Sequence, residues 1–198
     1  MDLFKDKKLR TKTISSGFTF FGIQVIYYSA LLNLDSIGFN KVTNQQIVGI
    51  SEGLSFLITH FYITKMPRKK FSILGMTFSS LTCFILANLS YLSPYIHPYL
   101  DGFISIFVLI ANRLVLCSFW ALFYVYLGEM YPTKVRSLGI GWASAMGTFG
   151  SILSPYLTLL SHKNDLSIWI IPGIIGFLCV FSLFFLPETF EASSDDQI

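Results

Sequence analysis

Six apolar segments, each near 20 residues or longer, leave this chain few architectures. They run roughly over residues 14–34, 43–64, 71–92, 102–127, 137–160 and 167–186, separated by short stretches with Asn, Asp, Lys, Pro or Gly. About 20 mostly apolar residues cross a hydrocarbon core as a helix. The segments are too long and too evenly apolar for barrel strands of about ten alternating residues. In lipid every backbone polar group needs a partner within the segment or in a closed barrel, which leaves helices. Charge content agrees: 13% of residues are charged, against roughly 25% in soluble domains. With 20 Phe in 198 residues, the apolar surface exceeds what one soluble core hides. The expectation is an all-α membrane protein with six transmembrane helices: a basic segment over 1–13, a bundle over 14–186 and an acidic tail over 187–198.

Loop charge orients the bundle. Cytoplasmic loops carry an excess of Lys and Arg. Lys5, Lys7, Lys8, Arg10, Lys12, Lys65, Arg68, Lys69, Lys70, Lys134 and Arg136 fall on one side, and Lys41 and Lys163 on the other. Both termini are thus expected in the cytoplasm. The basic loops read as topology signals, with anionic lipid contact compatible, rather than as a nucleic-acid site. The basic-then-apolar start is superficially like a signal peptide, but its long apolar stretch and lack of a convincing cleavage site favour a retained helix. Cys83, Cys117 and Cys179 fall inside the apolar spans at spacings that fit neither a disulfide framework nor a metal site. They read as small buried hydrophobes.

Two ionisable residues sit inside spans. Glu52 is about nine residues into the second and Arg113 about eleven into the fourth, which puts each roughly 13–17 Å from its starting surface. An ion at that depth needs a partner or a watery cavity. Either the two line a central pathway and set the field for a charged substrate, or they form a buried pair that fixes helix packing. Ring faces attract a desolvated ammonium, and Tyr27, Tyr28, Phe56, Trp120 and Tyr124 are candidates, although ordinary packing also explains single rings in so aromatic a chain. Arg113, Cys117, Trp120 and Tyr124 share one helical face by spacing. His60 reads as an interfacial histidine, and His97 and His162 belong to outer loops.

In the fifth span Gly139, Ala143, Gly147 and Ser151 recur every fourth position, a row that lets helices approach closely. Pro155 is expected to bend or end that helix, and Pro172 with Gly173 to act similarly early in the sixth. No nucleotide loop, paired catalytic carboxylates or Ser/His/Asp set is present, so neither an enzyme nor a cofactor is expected. Glu188, Glu191, Asp195 and Asp196 form the acidic tail, read as solvated.

Several motifs then follow one another along the chain: Leu3-Phe4 with the basic run to Lys12, Met66-Pro67-Arg68-Lys69-Lys70, Gly128-Glu129-Met130-Tyr131-Pro132-Thr133-Lys134-Val135-Arg136, Gly139-x-Gly141, Gly150 to Tyr156, and Leu186-Pro187-Glu188-Thr189. In order and spacing the set resembles the C-terminal half of organic cation/carnitine-type transporters of the major facilitator superfamily. The resemblance implies a C-terminal six-helix bundle whose site lies between two bundles that rock against each other. It implies transport of a small organic cation or zwitterion, with Glu52 as electrostatic anchor and Arg113, Trp120, Tyr124 and Thr148 along the path. Arg68, Lys69, Glu129, Pro132 and Arg136 belong to its motif and gating positions. At Thr148 cation carriers often have Asp and anion or carnitine carriers Arg, and Thr64 and Lys65 replace the Asp-Arg of the gating motif, which implies a weakened inner gate. The expected partners are the lipid bilayer, a small organic ion and an N-terminal six-helix bundle or other membrane subunits, with the plasma membrane preferred over an organelle. The first six helices of such a carrier are absent, so the sequence is a fragment, a half that pairs with another, or a non-transporting structural subunit of a larger membrane complex.

Overall fold

The computed structural model describes residues 6–33, 40–62, 66–92 and 98–189. These form six helices: α1 (Lys7–Leu32), α2 (Lys41–Tyr62), α3 (Arg68–Leu92), α4 (Pro98–Met130), α5 (Arg136–Lys163) and α6 (Ile170–Phe184). Leu3, Phe4, Thr64, Lys65, His97, Glu191, Asp195 and Asp196 lie outside the described residues.

Among the described residues, three stretches are long and apolar enough to cross a membrane: Leu9–Leu32, Arg68–Leu92 and Leu100–Met130. Helix α6 is as apolar but has 15 residues, shorter than the expected span over 167–186. Its start is set by Pro172, whose missing N–H costs nothing in a first turn. At its other end the backbone tightens: Phe185 N–H bonds the Ser182 carbonyl and Leu186 N–H that of Leu183, because the residue before Pro187 is barred from helical geometry. Helix α2 carries Asn44, Gln45, Gln46, Glu52 and His60, and α5 is diluted by Gly and Ser. Both helices form where the apolar segments predict them, but their apolar character is lower.

Helix α1 packs on α5 and α6, α3 on α4 and α6, and α2 on α4. The α1–α5 contact is made by small residues, with a change of register from the expected row. Gly139, Ala143 and Gly147 are buried, Gly139 against Tyr131, and the buried small residues that meet α1 are Gly147, Gly150 and Ser154, with Ser151 turned off that face. Ser151 is half-buried and its hydroxyl bonds the Thr148 carbonyl at 2.7 Å. The reason is geometric: a four-residue step overshoots a full turn by about 40°, so a three-residue step must intervene to hold one face. A Cβ on Gly150 would lie 2.6 Å from the Phe21 carbonyl oxygen, and one on Gly147 would collide with the Phe20 ring. Ser154 Oγ and Ser29 Oγ share a hydrogen bond of 3.0 Å on the same seam.

Pro155 does not end α5, which continues to Lys163. One lost backbone bond is outweighed by contacts on both sides of it, Ser154 to Ser29 before and buried Ser161 after. The three cysteines are free and buried, as expected of small apolar fillers. Hydroxyls tie the remaining helices together: Thr19 to Ser182 at 2.8 Å, Ser80 to the Gly173 carbonyl at 2.7 Å and Ser118 to the Ser55 carbonyl at 3.2 Å.

Gly150→Ala is expected to lower stability by about 1–3 kcal/mol, the cost of forcing atoms into a filled contact. Gly141→Ala, where a Cβ meets nothing within 4 Å, should be neutral or stabilising by up to about 1 kcal/mol. Thermal unfolding in mild detergent separates them; equal midpoints would mean that α1 and α5 are not in close backbone contact.

Candidate functional site

Arg113 is the largest fully buried side chain among the described residues, at 1% exposure. It projects from the middle of α4 toward α1 and α2. Its Nη1 stands 3.3 Å from Glu52 Oε1, and its guanidinium lies over the Tyr27 ring, 4.1 Å from the centroid. Tyr27 donates its hydroxyl to the same Glu52 Oε1 at 3.0 Å. Three helices therefore converge on one ion pair: α1 through Tyr27, α2 through Glu52 and α4 through Arg113. The pair is at charge-pairing distance without hydrogen-bond alignment, for Nε, Nη1 and Nη2 of Arg113 all lack a hydrogen-bond partner within the described residues.

A cavity of about 200 Å³ opens beside the pair, lined by Gln24, Tyr27, Tyr28, Glu52, Phe56, Cys117 and Trp120. Arg113 stands behind this wall, against Tyr27 and Glu52. The rings form an edge-to-face series: Tyr27 on Tyr28 at 5.3 Å, Trp120 on Tyr124 at 5.2 Å and Tyr124 on Phe20 at 5.0 Å. Trp120 Nε1 is buried and has no acceptor within the described residues. The helical spacing that aligned Arg113, Cys117, Trp120 and Tyr124 thus places all four along one side of the site, with Cys117 and Trp120 in the wall and Tyr124 behind Trp120.

Thr148 is not in that wall. It is exposed on α5 and its hydroxyl bonds back to the Ser144 carbonyl at 3.0 Å. The face of α5 that meets α1 is the Gly147–Gly150 face, which points Thr148 away. Gln24 is a wall residue that sequence reasoning missed. It is one of two amides in the first apolar segment, the other being Asn33 near its end, and only its position one turn before Tyr28 marks it. His60 is exposed, edge-on to Phe61 at 5.8 Å.

A second cluster gathers motifs far apart in sequence at one end of the bundle. Arg68, at the start of α3, pairs with Glu129, at the end of α4, with Nη2–Oε1 3.2 Å and Nε–Oε2 3.3 Å. Thr189 donates to Glu129 Oε2 at 2.8 Å. Lys69 Nζ bonds the Phe184 carbonyl at 2.9 Å and its backbone N–H bonds Glu188 Oε1 at 3.4 Å. Tyr126 donates its hydroxyl to the Pro187 carbonyl. Tyr131 is buried against Gly139, and its hydroxyl meets Ser16 at 3.0 Å and Thr13 at 3.3 Å. Arg136 is exposed and donates to the Tyr131 carbonyl at 3.4 Å, while Pro132 is exposed. The cluster latches the ends of α3, α4 and α6 together. Among the described residues, no group of His, Cys, Asp and Glu could hold a metal ion.

The side chains of Arg68 and Glu129 are 9% and 22% exposed, so their interaction is only partly screened. A double-mutant cycle with Arg68→Ala and Glu129→Ala should give a coupling of about 1–3 kcal/mol in thermal unfolding. A coupling near zero would mean that the cluster is a solvated surface contact.

The sequence matches the family described as "Sugar (and other) transporter" over residues 9–197. It is 28% identical over its whole length to the organic cation transporter protein of Drosophila melanogaster. Identity is 27%, again over the whole chain, to organic cation/carnitine transporter 2 of Rattus norvegicus. It is 25%, over 95% of the chain, to organic cation/carnitine transporter 4 of Arabidopsis thaliana. In each case the chain spans about a third (34%) of the length of the curated relative it matches. The long apolar helices, the charges paired in their middle and the family match together make this chain a multi-pass membrane protein that belongs to the sugar (and other) transporter family of the major facilitator superfamily.

Proposed function

We propose that the chain is the C-terminal six-helix bundle of a carrier that moves a small organic cation or zwitterion across a membrane by alternating access. All six helices cross the bilayer in this reading, and both ends face the cytoplasm, the side that carries the basic residues. The observation that carries it is the Glu52–Arg113 pair set mid-bundle against a ring-lined cavity. A pair needed only for packing would be enclosed on every side. Here the Glu52 side chain is 26% exposed and belongs to a cavity wall, so a carboxylate is open to a ligand at a depth where charge is expensive.

Glu52 acts as electrostatic anchor, Arg113 sets its orientation through the shared contact with Tyr27, and Trp120 supplies a ring face, with Tyr124 holding that ring edge-on. Thr148 has no part in the cavity of this bundle. The opposite wall of the site comes from an N-terminal-like bundle, as a rocking carrier requires. The Arg68–Glu129–Thr189 cluster and the Lys69 contacts hold the cytoplasmic ends of the helices and serve as an inner latch. The substrate reading also rests on the relatives, whose names are those of organic cation and carnitine transporters.

Glu52→Gln should cut uptake of labelled organic cations and betaines about tenfold or more in cells expressing the gene in its native genomic context, with the protein's abundance in the membrane unchanged. Uptake kinetics equal to those of the unaltered protein would overturn the assigned role. A tag placed at either end should be reached by antibody only after the cells are permeabilised.

A further inference from the structure

Helices α1 and α6 pack antiparallel, with Ile26 against Gly176 and the Thr19 and Ser182 hydroxyls meeting at 2.8 Å, but they do not end together. From the Thr19–Ser182 contact α6 continues only to Phe184, whereas α1 reaches back to Lys7, roughly 18 Å away at 1.5 Å per residue. Beyond Phe184 the chain turns toward α3 and α4. Lys69 Nζ holds the Phe184 carbonyl at 2.9 Å, Tyr126 donates to the Pro187 carbonyl, and Thr189 donates to Glu129 at 2.8 Å. On the other side α1 is fixed by Trp142 Nε1, which donates to the Thr13 carbonyl at 3.1 Å. Between these two anchored walls lies an open cleft of about 380 Å³, lined by Lys7, Thr11, Lys12, Phe185, Leu186 and Pro187. One wall is cationic and the other apolar.

The cations of the cleft are uncommitted. Within the described residues no carboxylate pairs with Lys7 or Lys12. Glu188, next to Pro187, turns its Oε1 to the backbone N–H groups of Lys69 and Thr189, at 3.4 and 3.1 Å, and Asp6 is not in the lining. The apolar wall continues toward the bilayer interior. Phe185, Phe181, Leu178 and Ile174 step back along α6 by four, three and four residues and are all exposed, so they form one helical stripe. We propose that the cleft binds an anionic phospholipid, with its phosphate at Lys7 and Lys12 and its acyl chains along the Ile174–Phe185 stripe. The proposal does not depend on which solute is carried. It uses the orientation read above, in which the basic end of the bundle meets the leaflet where anionic lipids concentrate. Lysines near a helix end reach headgroup level on their apolar stems, and this pair does so on one wall, where a single phosphate can meet both. A zwitterionic headgroup would bring an ammonium for which the cleft holds no carboxylate. A free phosphate would gain the lysines alone and leave the apolar wall uncovered.

The test uses the full-length protein, expressed from the gene in its native genomic context and purified in a neutral detergent. Native mass spectrometry counts the dioleoylphosphatidylserine, dioleoylphosphatidylglycerol and dioleoylphosphatidylcholine retained at equal added concentrations. The two anionic lipids are expected to bind about tenfold or more tighter than phosphatidylcholine, and Lys7→Gln/Lys12→Gln should remove that advantage. Lys7→Arg/Lys12→Arg should keep it, which separates lost charge from lost structure. Lys70→Gln/Lys134→Gln removes the same charge from exposed positions outside the cleft and should change the affinity by less than about twofold. No preference for the anionic lipids, equal loss in the two Gln pairs, or loss in the Arg pair as well overturns the site. If sn-glycerol 3-phosphate displaces phosphatidylserine at equal concentration, the cleft is a phosphate site and the lipid assignment falls. If anionic lipid binds only after Glu191→Gln, Asp195→Asn and Asp196→Asn are combined, the acidic tail is the occupant and the proposal falls for the unaltered protein. A reading free of variants comes from phosphatidylserine carrying a diazirine in one acyl chain. Its photolabel should fall on the unaltered protein between Ile174 and Phe185, and labelling only elsewhere overturns the proposal.

Discussion

In hydrocarbon a helix gains little by hiding its leucines against a neighbour, because lipid tails are equally apolar. The bundle is therefore held where small side chains let backbones meet and where hydroxyls find acceptors on the next helix. The α1–α5 seam shows both. Gly147 accommodates the Phe20 ring, Gly150 the Phe21 backbone, and Ser154 closes on Ser29. Exposed apolar side chains such as Phe103, Phe107, Phe181 and Leu74 are what a helix presents to lipid, not defects of a core.

That seam also positions the site. Phe20 and Tyr27 are two turns apart on α1, so the helix that Gly147 draws close at Phe20 is the one that delivers Tyr27 to the ion pair. Tyr124 rests edge-on against Phe20 and supports Trp120. The ring series thus links a packing contact to a cavity wall, and a change at the seam reaches the site through aromatic faces that cannot be compressed.

The two ion pairs have different characters. Arg68 and Glu129 make aligned hydrogen bonds, and Thr189 adds another donor to the same carboxylate, so the latch is satisfied as it stands. Arg113 and Glu52 are close but poorly aligned, and within the described residues the guanidinium has donors without an acceptor. A satisfied pair favours the state in which it occurs, and an under-satisfied one favours a ligand.

Helix number, the depth of Glu52 and Arg113 and the shared face of Arg113, Cys117, Trp120 and Tyr124 could all be read from one-dimensional patterns, because hydropathy and the 3.6-residue period are properties of a single helix. The extent of α6 could not, and for Pro155 the sequence left bending and ending both open within a span that runs through it, since those boundaries depend on contacts made by neighbouring helices. The packing row was legible only up to Gly147: a fixed four-residue rule drifts off the face, and the position of α1 chooses Gly150 over Ser151. The sequence alone determined that two opposite charges lie at similar depths in different helices. Only the tertiary structure decided that they meet, that Tyr27 joins them, that Gln24 borders the cavity and that Thr148 does not. The physical reason is that pairing between helices depends on rotation about each helix axis, which is set by packing against neighbours.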